Sequence, residues 1–443
     1  MGDDLTAGLP PGRLGLPWLG ETLALLRNPF GFLDARRRQY GPVFKSRILG
    51  RPTVFLGGAE GAAAFYDPDN VRRDDAHPYP IVDLFGGVNM EMYDGPRHLA
   101  LKTITLAAFD ADALAAYLPG MERLVGDRLD QWSRRSELSA TAELRRLAIE
   151  IIALNLLGLP PGPRTDAVCD DYGRVLRGIV SLPLGIPGTP YGRARASRDR
   201  LLAMLRELVR ARRAEPTGDG LSRLLAARGP DGRTCTDEEA VLEAHHVVMA
   251  GFIVYALMAE GMRRLAEDRG LAARCTEEVQ REQPAGAPLS LEGLGRLTTC
   301  TAVVNEAKRL VPLVPLAFGR ARRTFDCGGH RVPEGWRVYL ALSLRNHDPA
   351  VWLDPDRFDP GRFGAGRAEH ESHPLAFIPQ GAGPITGHQC LGLEYSTVMS
   401  LAFLTLLARD HEWELPAQDL SYRWNTIPPE PRGGLRVRVR RHA

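Results

Sequence analysis

A mainly α-helical fold with small β-sheets is the architecture this sequence encodes. Helical apolar spacing dominates from about residue 59 onward, while residues 43–56 and 331–342 alternate in the manner of strands. Proline- and glycine-rich breaks punctuate the helical part, the plainest being Leu182-Pro-Leu-Gly-Ile-Pro-Gly-Thr-Pro190. With 443 residues, 44% hydrophobic and 25% charged, the composition is ordinary for a globular protein, and residues 1–443 read as one domain.

Leu9-Pro-Pro-Gly12 and Leu16-Pro-Trp-Leu-Gly20 open the chain, and their prolines keep that segment from staying helical. A helix is predicted over residues 29–40. Strands follow over 43–49 and 53–56, closed by Gly57-Gly58, so residues 1–58 form an N-terminal segment and sheet. After Gly229-Pro-Asp-Gly232, Thr236 and Glu239 are spaced as a capping box, which satisfies the first free N–H groups of a helix. That helix is predicted to run over residues 236–270, where Gly270 is a natural stop. Such a helix would be about 50 Å long at about 1.5 Å per residue. Its middle is apolar on every side and should be buried on every side. The apolar run 247–259 is too short to span a bilayer. The strand piece 331–342 leads into a meander over 346–363 and a cysteine-bearing loop over 377–392.

The net charge of +2 gives no electrostatic reason to expect nucleic acid or an anionic membrane as partner. Six cysteines lie scattered without a C-x-x-C pair, which argues against a zinc site and a disulfide framework and fits a reducing cytoplasm. Met1-Gly-Asp-Asp-Leu-Thr6 carries no signal-peptide pattern; its formal match to a myristoylation pattern is too short to weigh much.

The chemistry concentrates in Phe377-Ile-Pro-Gln-Gly-Ala-Gly-Pro-Ile-Thr-Gly-His-Gln-Cys390-Leu-Gly392. Glycines let backbone approach a flat ligand and turn N–H groups toward the sulfur. A thiolate held that way suits the axial position of a haem iron, where it pushes electron density toward O–O cleavage. Three further features accompany the loop. Glu306 and Arg309 share one helical face. Arg362 offers a guanidinium fork to the same carboxylate. His98 and Lys102, four residues apart, can bind two carboxylates. Alone, Glu306 and Arg309 would be a solvated ion pair worth about 0.3–0.5 kcal/mol, and Cys390 a buried cysteine in a turn.

Together and in this order, these residues resemble the cytochrome P450 family, from Leu9 to about Val437. The resemblance implies the cytochrome P450 fold, a single triangular-prism-like domain, and haem b (heme b, iron protoporphyrin IX) as cofactor. It implies that Cys390 is the metal ligand, with Phe377, Gly383 and Gly392 shaping its loop. Glu306, Arg309 and Arg362 would form the supporting triad. His98, Lys102 and His388 would hold the haem propionates, with Arg320 a further candidate. A lipophilic small-molecule substrate is expected, with ferredoxin and ferredoxin reductase as candidate redox partners, docking near Arg97, Lys102 and Arg367. The wording Phe-Ile-Pro-Gln-Gly-x-Gly, Leu415-Pro-Ala-Gln-Asp-Leu-Ser421 and Ile427-Pro-Pro-Glu-Pro431 is similar to bacterial fatty-acid peroxygenases. The opening segment and Leu184-Gly-Ile-Pro-Gly-Thr-Pro-Tyr191 resemble instead the branch that oxidises sterols, retinoids and diterpenoids.

The long helix departs from the family pattern. Ala250-Gly251-Phe252-Ile253-Val254 puts isoleucine and valine where an acid and an alcohol relay protons, and neither can donate or accept a hydrogen bond. Tyr255 is one residue further round. No arginine lies between Val241 and Met262, so the peroxygenase carboxylate-binding device is missing too. His245 and His246 read as structural. Leu84, Phe85, Val88, Met90, Met249, Phe252 and Ile253 are candidate pocket walls. General acid catalysis contributes about 10²–10⁴-fold, which leaves three routes. A substrate hydroxyl or ordered water replaces the relay; peroxide serves as oxidant; or the enzyme is a non-oxidative isomerase, cyclase or dehydratase. A haem-binding protein without catalysis is the reading from another class.

Overall fold

The computed structural model describes residues 8–442; the myristoylation-like residues 1–6 lie outside them. Strands β1 (Val43–Ile48) and β2 (Arg51–Leu56) pair antiparallel with Val43 opposite Leu56. The first strand ends one residue before the predicted 49 because Leu49 takes a left-handed φ of 49° in the hairpin turn with Gly50. The sheet is completed by β3 (Val71–Arg72), β4 (Leu316–Ala321) and β5 (Arg337–Ala341), in the order β1-β2-β5-β4-β3. Phe44 and Phe55 stack at 4.9 Å, and the Tyr339 ring meets Phe55 edge-on at 5.7 Å, so the alternating side chains of three strands make one aromatic core. The predicted strand piece 331–342 is divided in two, His330–Val332 and β5, by the Pro333-Glu-Gly335 turn.

The helix over residues 29–40 forms as Pro29–Tyr40, with proline at its first turn and Asn28 capping Gly31 N–H. Helix α1 (Gly95–Leu106) carries His98 and Lys102, both buried. The predicted helix over 236–270 is instead two helices, α2 (Asp237–Phe252) and α3 (Tyr255–Glu267). The Thr236–Glu239 capping box starts α2. At the break, Val254, Ala256 and Leu257 N–H groups bond to residues 251, 253 and 254, three back rather than four. Adjacent β-branched Ile253 and Val254 crowd the preceding turn, which favours this local tightening. The run ends at Glu267 rather than Gly270, because Asp268 caps the next helix by accepting from Leu271 N–H at 2.9 Å.

The stretch Asp237–Glu267 has the length and apolarity to cross a membrane, but 83% of its most apolar window is buried inside the protein. It is a core element. Helix α4 (Thr298–Leu310) and α5 (Leu393–Asp410) pack against α3 and each other, with the cysteine loop entering α5 directly.

Candidate functional site

Cys390 is three residues ahead of α5, whose first free N–H groups and positive dipole end favour a thiolate. Its own N–H donates to Gln380 carbonyl at 2.9 Å, closing the loop on itself. Gly381 stands at φ +84°, and a Cβ there would sit 2.8 Å from His388 carbonyl oxygen, so the close approach requires glycine. Burial raises the Cys390 thiol pKa, while the Gly392 N–H, Lys102 and Lys308 oppose that. Lys308 donates to Thr397 Oγ1 at 2.8 Å, and burial lowers its pKa to about 8 with Cys390 pulling the other way. Two loop residues stand apart from the sulfur. Phe377 packs with Trp352 and Phe363 at 6.0 and 5.1 Å, outside the cavity wall. Gly383, at φ +91°, faces open space.

Glu306 accepts from Arg309 at 2.7 and 2.8 Å and from Arg362 Nε at 3.0 Å, and all three side chains are fully buried. The remaining guanidinium donors reach Asn346, Pro355 and Leu353 carbonyls and Glu369. A buried charge is costly unless every donor finds an acceptor, and here the acceptors belong to the meander. The three side chains therefore fasten α4 to the chain that leads into the cysteine loop.

His98 and His388 rings lie 4.1 Å apart. His98 bonds Met90 and Gly387 carbonyls at 2.8 and 3.2 Å, and His388 Nε2 donates to Asp94 at 3.2 Å. Burial, helped by Arg73 and His98, lowers His388 to about 4, against the pull of Asp94. Asp94 is held at about 2: burial works against this, but the His388 bond and Arg73 and Asp74 N–H groups prevail. Lys102 donates to Gln389 carbonyl. Arg320 does not join this group; it donates to Gly335 carbonyl at 3.1 Å on the outside of β4. Arg73 instead lines the cavity, its guanidinium 4.0 Å over the Phe65 ring and donating to Phe318 carbonyl at 2.9 Å. Nothing in the spacing around Arg73 marks it in the sequence.

Above the cysteine lies a cavity roofed by Ala250, Gly251, Ile253 and Val254. Phe252 turns away to pack on Tyr255 at 5.7 Å. Tyr255 donates to buried Glu430 and faces away from the cavity wall. A second cavity shares Ala250, Ile253 and His246 with the first and adds Phe85 and Met249. Met90 lines the first. Leu84 is core, outside both walls, and Val88 is 40% exposed and lines neither cavity. The proposed basic patch is also corrected: Lys102 is buried, and Arg367 is neutralised by Asp359 and Glu369.

The two histidines of α2 part company. His245 is structural, its ring stacked on Tyr172 and bonded to Leu84 carbonyl at 3.1 Å; burial lowers it to about 4. His246 lines both cavities, contrary to its expected structural role. It lies 3.4 Å from Glu91 and 3.5 Å from Glu243; burial alone would lower its pKa, but the two carboxylates raise it to about 9. Sequence reasoning missed Glu91, Glu243 and His77; single acids inside apolar stretches were the available signal.

The cytochrome P450 family model matches residues 10–426, and the chain belongs to that family of haem-binding oxidoreductases. It is 29% identical to putative cytochrome P450 120 of Synechocystis sp., covering 98% of this chain and 97% of the relative. Abscisic acid 8'-hydroxylase 4 of Arabidopsis thaliana is 27% identical over 98% of this chain and 93% of that protein. Retinoic acid-bound cyanobacterial CYP120A1 superposes with a TM-score of 0.90 at 28% identity, covering 98% of this chain and 99% of that one. Cytochrome P450EX alpha (CYP152N1) with myristic acid superposes at 0.78 with 25% identity, covering 95% and 97%. Both branches of the mixed resemblance thus appear among the relatives. The residues present fit a haem. A sulfur beside Gly392 N–H, a glycine-lined approach at Gly381, the cations Arg73 and Lys102 and the imidazole of His98 make the donor set such a group needs.

Proposed function

We propose that this protein is a haem-thiolate enzyme that oxidises a lipophilic small molecule in specialised metabolism, in the cytoplasm, with haem b held by Cys390. The supporting observation is a half-buried cysteine at a helix N-terminus beneath a mainly apolar cavity whose roof presents Ile253 and Val254. In this reading Cys390 ligates the iron, and Gly392 N–H steadies the sulfur as thiolate. Arg73, His98 and Lys102 hold the propionates, and His388, its N–H given to Asp94, packs against His98. Glu306, Arg309 and Arg362 keep the loop in place. When bound, the thiolate-ligated haem supplies the oxidising chemistry. Ala250, Gly251, Ile253 and Val254 keep bulk water from the reacting face and hand over no proton. Protons then come from ordered water or from a hydroxyl of the substrate itself.

A second reading, use of hydrogen peroxide, is favoured by the same donor-free roof, because peroxide arrives with its O–O bond already reduced. Turnover of a panel of lipophiles, driven either by ferredoxin with its reductase or by hydrogen peroxide, separates the two. Oxidised product from either supports an oxidoreductase. Isomerised or dehydrated product without any oxidant would replace it with the non-oxidative reading.

A further inference from the structure

Beyond the general preference for lipophiles, the cavity walls carry a charge pattern that speaks to the substrate's polar end. His77, Glu91 and His246 line both cavities; among the described residues the second cavity has no other ionisable side chain but the phenol of Tyr339. Glu91 lies 3.4 Å from His246 and 3.8 Å from His77. His246 faces Glu243 on its other side at 3.5 Å, and Glu243 also accepts Met90 N–H at 2.7 Å. His77 and His246 are each only 9% exposed, and His77 Nδ1 has no partner, whereas half of the Glu91 side chain is accessible. Although burial opposes it, the two histidines hold the Glu91 carboxyl well below its usual pKa, so it is an anion at neutral pH.

Two carboxylates therefore share one strongly held imidazolium. A third carboxylate brought by a substrate would meet an excess of negative charge in an apolar cavity, where like charges repel most. Arg73 and Lys102 in the first cavity are committed to backbone carbonyls and stand where the haem propionates belong. An O–H group, by contrast, can donate to the open Glu91 oxygen in a charge-assisted bond.

We propose that Glu91, braced by His77 and His246, makes the cavity select a neutral lipophile bearing a hydroxyl and reject the matching carboxylic acid. This rests on the haem-thiolate reading and sets the protein apart from relatives whose structures hold retinoic acid and myristic acid. The test uses the haem-loaded protein and Soret titrations at neutral pH with matched pairs: straight-chain alcohols and acids of several lengths, and retinol against retinoic acid. At least one alcohol should bind about tenfold more tightly than its acid, the worth of one such hydrogen bond. In Glu91→Gln the ratio should fall to about threefold or less, because a neutral amide both accepts and donates. Acids binding as tightly as alcohols, no alcohol shifting the Soret band, or an unchanged ratio in the variant would each overturn the proposal. Wild-type protein alone decides the first two. A protein that acquires no thiolate-type Soret band on reconstitution would instead overturn the haem reading, so the two failures are distinct.

Discussion

His245 and His246 are sequence neighbours with opposite electrostatics, and their titration follows from what each touches. His246, raised from 6.5 to about 9 by Glu243 and Glu91 against the burial penalty, stabilises the fold fully below pH 6.5. That contribution fades as pH rises through about 9. A shift of this size corresponds to about 3 kcal/mol. His245, lowered to about 4 by burial, acts in reverse: its contribution is present above pH 6.5 and lost as pH falls through about 4. Urea unfolding across pH 4 to 9.5 should show both limbs, and His246→Gln should flatten the alkaline one; an unaltered alkaline limb would contradict the assignment. Glu306 makes a second residue-scale case. Glu306→Gln leaves buried Arg309 without its carboxylate and Arg362 with Glu369 alone, which should cost about 3–5 kcal/mol. Thermal unfolding and haem content should both fall. Glu306, Arg309 and Arg362 were legible because their spacing is a motif. Glu91 and Arg73 were not, because their importance comes from tertiary neighbours far away in sequence.

At the level of elements, the division of the long helix into α2 and α3 carries the most chemistry. The sequence pattern is continuously apolar across residues 247–259, so the period shows no interruption there. The break arises from two β-branched side chains and the resulting shorter hydrogen bonds. Val254→Thr would place a hydroxyl on the cavity wall at that break. If proton delivery limits dioxygen turnover, product formed per reductant consumed should rise several-fold, within the about 10²–10⁴ range open to acid catalysis. An unchanged ratio would show that protons are supplied elsewhere. The cysteine loop gives a complementary test. Gly381→Ala adds a Cβ about 2.8 Å from His388 carbonyl at a left-handed φ, so haem content and the midpoint of thermal unfolding should both drop, by at least about 1 kcal/mol in stability. Retention of full haem content would mean the loop relaxes freely. Strands and helix starts were readable from alternation and caps. The turn at Leu49 and the stop at Glu267 were not, since a left-handed leucine and a competing Asp268 cap are decided by local packing.

For the molecule as a whole, architecture was the most legible level. The cysteine loop, the Glu306–Arg309 pair, Arg362 and the capped helix appear in one order along the chain, and the fold brings α4, the meander and α5 together around them. The pocket was the least legible. Phe85, Met90 and Met249 do line the cavities, but Leu84, at the end of a short helix, and Val88 do not. Apolar residues in a loop give no sign of which way they face. The proposed chemistry requires a sulfur–iron bond formed by Cys390. A carbon monoxide difference spectrum of the reduced, haem-loaded protein, taken beside Cys390→Ser, tests that bond most directly. Wild-type protein should show the red-shifted Soret band of thiolate-ligated haem, and the serine variant should lose it. A wild-type spectrum without that band, or one that the substitution leaves in place, would contradict the account.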